Sequence, residues 1–202
     1  MHLTGKERDW VLYDVGNSAF VMLTATVIPI CFKNVAEGTG MSAADSTAYF
    51  SYASSLVTVI AAVLGPVLGA VADMKGFKKP VFACFMGIGV LGCAMLGIPA
   101  GWLLFLGIYV IAKVGYQGSL TFYDSMLTDV TTDDRVDQVS AHGYAWGYIG
   151  SCIPFVISIL LILYAEPLGL GSTKAAALVF AFNAVWWFCL LYTSPSPRDR
   201  TR

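Results

Sequence analysis

Residues 69–79 read GAVADMKGFKK. One Asp, three Lys and two Gly fall within eleven positions, between two long apolar runs. A charged knot of this size in a greasy chain marks a short turn at a membrane surface. The apolar runs on either side then become spans. Of 202 residues, 57% are hydrophobic and 12% charged, and the mean hydropathy is +0.70. A soluble domain carries about 25% charged residues. The solvent implied for most of this chain is therefore lipid.

A spanning helix needs about 20 mostly apolar residues. Six such runs occur, at about 10–32, 47–72, 80–99, 102–127, 139–164 and 175–192. Residues 1–9 form a polar N-terminal segment, and the segments between the runs carry turn residues or charge. No β-alternation recurs, so the expected fold class is all-α integral membrane with six transmembrane helices. Basic residues collect on the cytoplasmic side of such proteins. With the N-terminus inside, that side holds Lys6, Arg8, Lys75, Lys78, Lys79 and Arg135, against Lys33 and Lys174 outside. A cytoplasmic N-terminus is expected. At the other end, TSPSPRDRTR (193–202) breaks abruptly from VWWFCLLY (185–192). The string resembles translated adapter sequence, so it is expected to be non-native and the gene truncated.

The net charge of −1 offers no basic field to nucleic acid. The five cysteines lie in or beside apolar runs with no CxxC spacing, which suits packing rather than metal or redox chemistry. No metal and no cofactor are expected. Asp129, Asp133, Asp134 and Asp137 lack the spacing and Gly of a calcium loop and read as a solvated link.

Gly69, Asp73, Gly76, Lys78 and Lys79 follow the spacing G-x-x-x-D-x-x-G-x-[KR]-[KR]. This is similar to the signature loop between the second and third helices of the major facilitator superfamily. Met74 and Phe77 depart from it where basic residues are frequent. Gly69 would let helices approach closely. Asp73 would end its helix and accept hydrogen bonds from a facing helix N-terminus. Gly76 permits a tight reversal. Lys78 and Lys79 would hold the loop inside, near anionic headgroups. Such a cluster is a conformational latch, made in one state and broken in the other. Three stretches narrow the resemblance: DWVLYDVGNSAFVMLTATVIPICF (9–32), GPVLGAVADMKGFKKP (65–80), and FYDSMLTDV (122–130) with RVDQVSAHGYAWGYIG (135–150). Together they resemble the autophagy-related vacuolar effluxer branch of that superfamily, found in bacteria and fungi. The resemblance implies the N-terminal half of a twelve-helix fold, with a second six-helix half as partner. Fungal relatives are implicated in releasing amino acids from the vacuole.

Ionisable and polar residues inside a span are functional candidates. On the first helix Asp14, Asn17, Ser18 and Thr24 share one face, continued by Val21, Ala25 and Ile28. On the fourth, Lys113, Tyr116, Gln117, Thr121 and Asp124 share another. Lys113 lies about 16 Å along the axis from Trp102, near the middle of a ~30 Å core. Asp124 is about 16 Å further on, too far to pair with it. KVGYQG (113–118) loosely resembles a second superfamily motif, basic-x-x-Gln-Gly, with one residue extra. On the fifth helix, Gly143 and Gly147 form a close-packing face and Pro154 can bend the axis. His142 lies near its end.

The expected activity is secondary transport of a small solute by alternating access, amino acids being the class that the resemblance suggests, with a proton as coupling ion. The setting is the bacterial plasma membrane, or alternatively the vacuolar one. A self-contained six-helix channel or scaffold is the competing reading. An intramembrane enzyme would need a reactive set at one depth, and no HExxH, GxSxG or paired carboxylates within one span occur. No enzymatic activity is expected.

Overall fold

The computed structural model describes residues 3–74, 76–99 and 101–192. Lys75 and the tail from Thr193 lie outside the described residues. All regular structure among those described is helical: α1 (Gly5–Ala25), α2 (Val27–Glu37), α3 (Ala43–Ala72), α4 (Lys78–Met95), α5 (Trp102–Val130), α6 (Val136–Leu163) and α7 (Gly171–Tyr192). The first two together make one span of 33 residues, so among the described residues six spans are long and apolar enough to cross a membrane. The chain is an integral membrane protein of all-α class.

α1 starts earlier than hydropathy suggests, at Gly5. Thr4 and Glu7 form a capping box: the Thr4 hydroxyl accepts from the Glu7 N–H, and the Glu7 carboxylate accepts from the Thr4 N–H at 2.8 Å. The span then breaks at Thr26, whose backbone leaves the helical region at φ −132° and ψ −66°. Pro29 is the cause. It lacks the N–H that would bond the Ala25 carbonyl, and its ring crowds that carbonyl. The turn redirects the apolar face, so Ile28 is fully buried rather than continuing the polar stripe of α1.

Helix pairs meet through small residues, as membrane helices must where burial from water gives no drive. α4 lies on α5 so closely that a Cβ on Gly115 would stand 2.6 Å from the Gly89 backbone nitrogen, and one on Gly92 2.6 Å from the Ala112 Cβ. α6 lies on α1 through Gly143, Gly147 and Gly150, which face Trp10, Asp14 with Ser18, and Val15 respectively. Pro154 leaves α6 unbroken from Val136 to Leu163. α1 and α5 are pinned by a reciprocal pair. The Trp10 indole donates to the Tyr123 carbonyl and the Tyr123 hydroxyl donates to the Trp10 carbonyl, each at 3.3 Å, with the rings stacked 4.4 Å apart. The inner aromatic core gathers Phe20, Phe32, Phe105, Phe180 and Trp187.

The polar links meet at one end of the bundle. Glu7 is only 2% exposed. Its carboxylate accepts from the Thr131 hydroxyl at 2.8 Å and the Arg135 guanidinium at 3.0 Å. Lys78 donates to the Ser125 carbonyl at 3.1 Å and pairs with Asp129 at 2.8 Å. The N-terminus, the 69–79 loop and the α5–α6 link therefore share a side. Asp129 is not part of a free link: it sits in the last turn of α5 and is ion-paired.

Candidate functional site

A cavity of about 440 Å³ opens between α1, α5 and α6. Asp14, Asn17 and Ser18 reach it from α1, and Tyr116 and Asp124 from α5. These are the residues that helical spacing put on two separate stripes, here brought to one space. Trp10 and Tyr123 floor it. Asp14 is half-buried and Asp124 exposed. Asn17 is 2% exposed, and no hydrogen-bond donor reaches its Oδ1 in bonding geometry, although the Tyr116 phenol lies beside it. Gly147 is what lets Asp14 sit there, because a Cβ at that position would stand 2.7 Å from its Oδ2.

The third wall went unnoticed in the sequence. Ser140, Tyr144, Tyr148 and Ser151 line the cavity from α6. Their offsets of four, eight and eleven form one helical face, a signal masked by the more conspicuous glycines beside them. His142, on the same helix, is held by the Gln138 carbonyl at 2.9 Å and does not line this cavity.

The expected single face of the fourth span divides. Gln117 and Thr121 turn to a smaller cavity of about 170 Å³ against α3, which Asp124 also borders. Lys113 lines neither cavity. It lies against the break in the first span, where its ammonium donates to the Thr24 hydroxyl at 3.2 Å. Thr24 in turn donates to the Val21 carbonyl at 2.8 Å. The ammonium also sits 4.7 Å from the Tyr116 ring centre and 5.9 Å from that of Phe20. Among the described residues no carboxylate comes within 4.0 Å of it. Two ring faces contribute about 0.5–2 kcal/mol. A central lysine costs about 3 kcal/mol. The contacts shown offset part of that cost and leave the positive charge unneutralised.

In the 69–79 loop Gly76 adopts φ +88°, so the tight reversal needs a residue without a Cβ. Asp73 caps the C-terminus of α3, exposed, with no partner for its carboxylate among the described residues. Lys79 is exposed. Two expectations change. A Cβ on Gly69 would meet nothing within 4 Å, so this glycine mediates no close helix approach in this conformation; the close approaches belong to α4–α5 and α1–α6. Lys78 is turned to Asp129 and the end of α5, where the helix dipole favours a cation.

Residues 39–136 match the family described as Vacuole effluxer Atg22 like. Over 197 residues, 95% of this chain, the sequence is 45% identical to a protein from Bacillus subtilis (strain 168) described as an uncharacterized MFS-type transporter, YxiO. The chain spans about half, 46%, of that curated relative. No solved structure matches. The matches cover the loop and the opening helix that carried the resemblance, and six apolar spans fit half of a twelve-helix array. Over these stretches the chain is similar to the Atg22-like vacuole effluxers and to an MFS-type transporter.

Proposed function

We propose that the chain is the N-terminal half of a secondary transporter that moves a small solute by alternating access. The observation that carries this reading is the cavity between α1, α5 and α6. It holds two carboxylates and a buried amide on membrane-spanning helices, where such groups are functional candidates. A second half, which the longer relative supports, would close the open side of this cavity. The two halves would rock about it. Lys113, beside the broken first span, would meet an anionic group: a solute carboxylate or an acidic side chain of the second half. Asp73 and its loop would act as the latch between states. Amino acids are the proposed solute class and a proton the proposed coupling ion. The Bacillus relative supports a plasma membrane setting, and the basic-residue bias supports a cytoplasmic N-terminus.

The test is counterflow in proteoliposomes holding the full-length protein. Vesicles preloaded with an unlabelled amino-acid mixture should accumulate the matching labelled solute, and a pH gradient should drive accumulation without preloading. Vesicles that conduct solute at a rate proportional to gradient, with no counterflow, would favour a channel instead.

A further inference from the structure

The cavity between α1, α5 and α6 has an unbalanced inventory. Asp14 and Asp124 bring two formal negative charges, and among the described residues no Lys, Arg or His lines it. Lys113 cannot neutralise them from the break in the first span: it lies 11 residues from Asp124 on α5, about 16 Å by helical rise. Asn17 adds a buried acceptor, Oδ1, that no donor among the described residues reaches in bonding geometry, with the Tyr116 phenol beside it. A buried acceptor left unmade is costly, so one within reach of a cavity marks where a donor is to arrive. The remaining walls include the rings of Trp10, Tyr123, Tyr144 and Tyr148. Aromatic faces attract cations.

We infer that this cavity is a subsite for a protonated amine, held by Asp14 and Asp124, with Asn17 Oδ1 as a neutral acceptor and the aromatic walls around its carbon skeleton. The inference deepens the transport reading and rests on it for its purpose, by naming the charge of the solute group bound here. Volume decides between an amine and a bare ion. About 440 Å³ lies within the range of small-molecule sites, far more than one alkali ion would fill. Rings also add nothing to the oxygen shell that an alkali ion seeks.

The experiment measures binding of 2-phenylethylammonium to the purified full-length protein in detergent micelles by titration calorimetry. The neutral N-acetyl derivative serves as the comparison. The amine should bind saturably and the derivative about tenfold more weakly or worse, since it lacks the charge-assisted hydrogen bonds. Asp14→Asn and Asp124→Asn should each weaken the amine about tenfold, with Asp14→Glu recovering part of the loss. Equal binding of amine and derivative overturns the inference, and this comparison uses unaltered protein, so it stands even if a variant misfolds. Sodium chloride binding in a protein indifferent to the amine overturns it too. Amine binding without counterflow would contradict transport and uphold the subsite. Counterflow without discrimination between amine and derivative would uphold transport and overturn the subsite.

Discussion

Replacing Arg135 by Ala tests the joint that holds the polar end of the bundle together. Glu7 enters the joint from the first turn of α1, where its Oε2 accepts from both the Thr4 N–H and Arg135, and its Oε1 from Thr131. The carboxylate is nearly inaccessible to water, whereas the Arg135 side chain is 29% exposed. Breaking a fully buried pair costs about 3–5 kcal/mol, because one charge is stranded. Two hydrogen bonds to Glu7 survive the change and the guanidinium is partly wet. The expected loss is therefore smaller, about 2–3 kcal/mol. Equilibrium unfolding in mixed micelles reads it. Glu7→Gln and the double variant complete a cycle, which removes whatever other contacts Arg135 makes. The coupling should be about 1–2 kcal/mol. A loss below about 0.5 kcal/mol, the range of an ordinary surface change, or strictly additive single losses, would refute the joint.

Gly115→Ala should destabilise more than Gly147→Ala in the same assay. The new Cβ at 115 meets the backbone nitrogen of Gly89, which cannot yield, whereas at 147 it meets the ends of the Asp14 and Ser18 side chains. Expected losses are about 2–3 kcal/mol and about 1 kcal/mol; the reverse order would show the α4–α5 contact to be looser than described. Asp73→Asn should leave stability within about 0.5 kcal/mol, since its carboxylate has no partner among the described residues, yet slow counterflow while solute affinity holds within a few-fold. Collapse of affinity with normal cycling would remove Asp73 from the latch. Lys79→Cys in a cysteine-free background should resist an impermeant thiol reagent added outside intact cells; rapid labelling would invert the proposed topology.

The six spans were legible because hydropathy is a local property, and so was the charged reversal, since Gly76 is needed wherever the chain turns at positive φ. The early start of α1 was also written locally, in Thr4-x-x-Glu7, but composition gives a capping box no weight against an apolar run. The same holds for Pro29, which sits in the sequence as a breaker and sets the bend at Thr26. Helical spacing put Asp14, Asn17, Ser18 and Thr24 on one face; the first three line the cavity, whereas Thr24 meets Lys113. It could not say that α5 is flanked on two sides, so that Tyr116 turns to α1 while Gln117 and Thr121 turn to α3. Pairings such as Glu7 with Arg135 join residues 128 apart and depend on how helices cross, which no local pattern encodes. The openness around Gly69 is of the same kind: a glycine permits close approach, and only the neighbouring helix decides whether it happens.

Lys113 tests the central claim most directly. Its ammonium rests on the Thr24 hydroxyl and two ring faces at the break of the first span, with no carboxylate to neutralise it among the described residues. A transporter whose path runs along α1 and α5 would use that charge; a scaffold would not. Counterflow by full-length Lys113→Ala, normalised to the amount inserted in the membrane, is the measurement. The account predicts that flux is abolished while insertion is unchanged, and that Lys113→Arg keeps part of the activity because charge is retained and geometry altered. Normal flux in Lys113→Ala would contradict it.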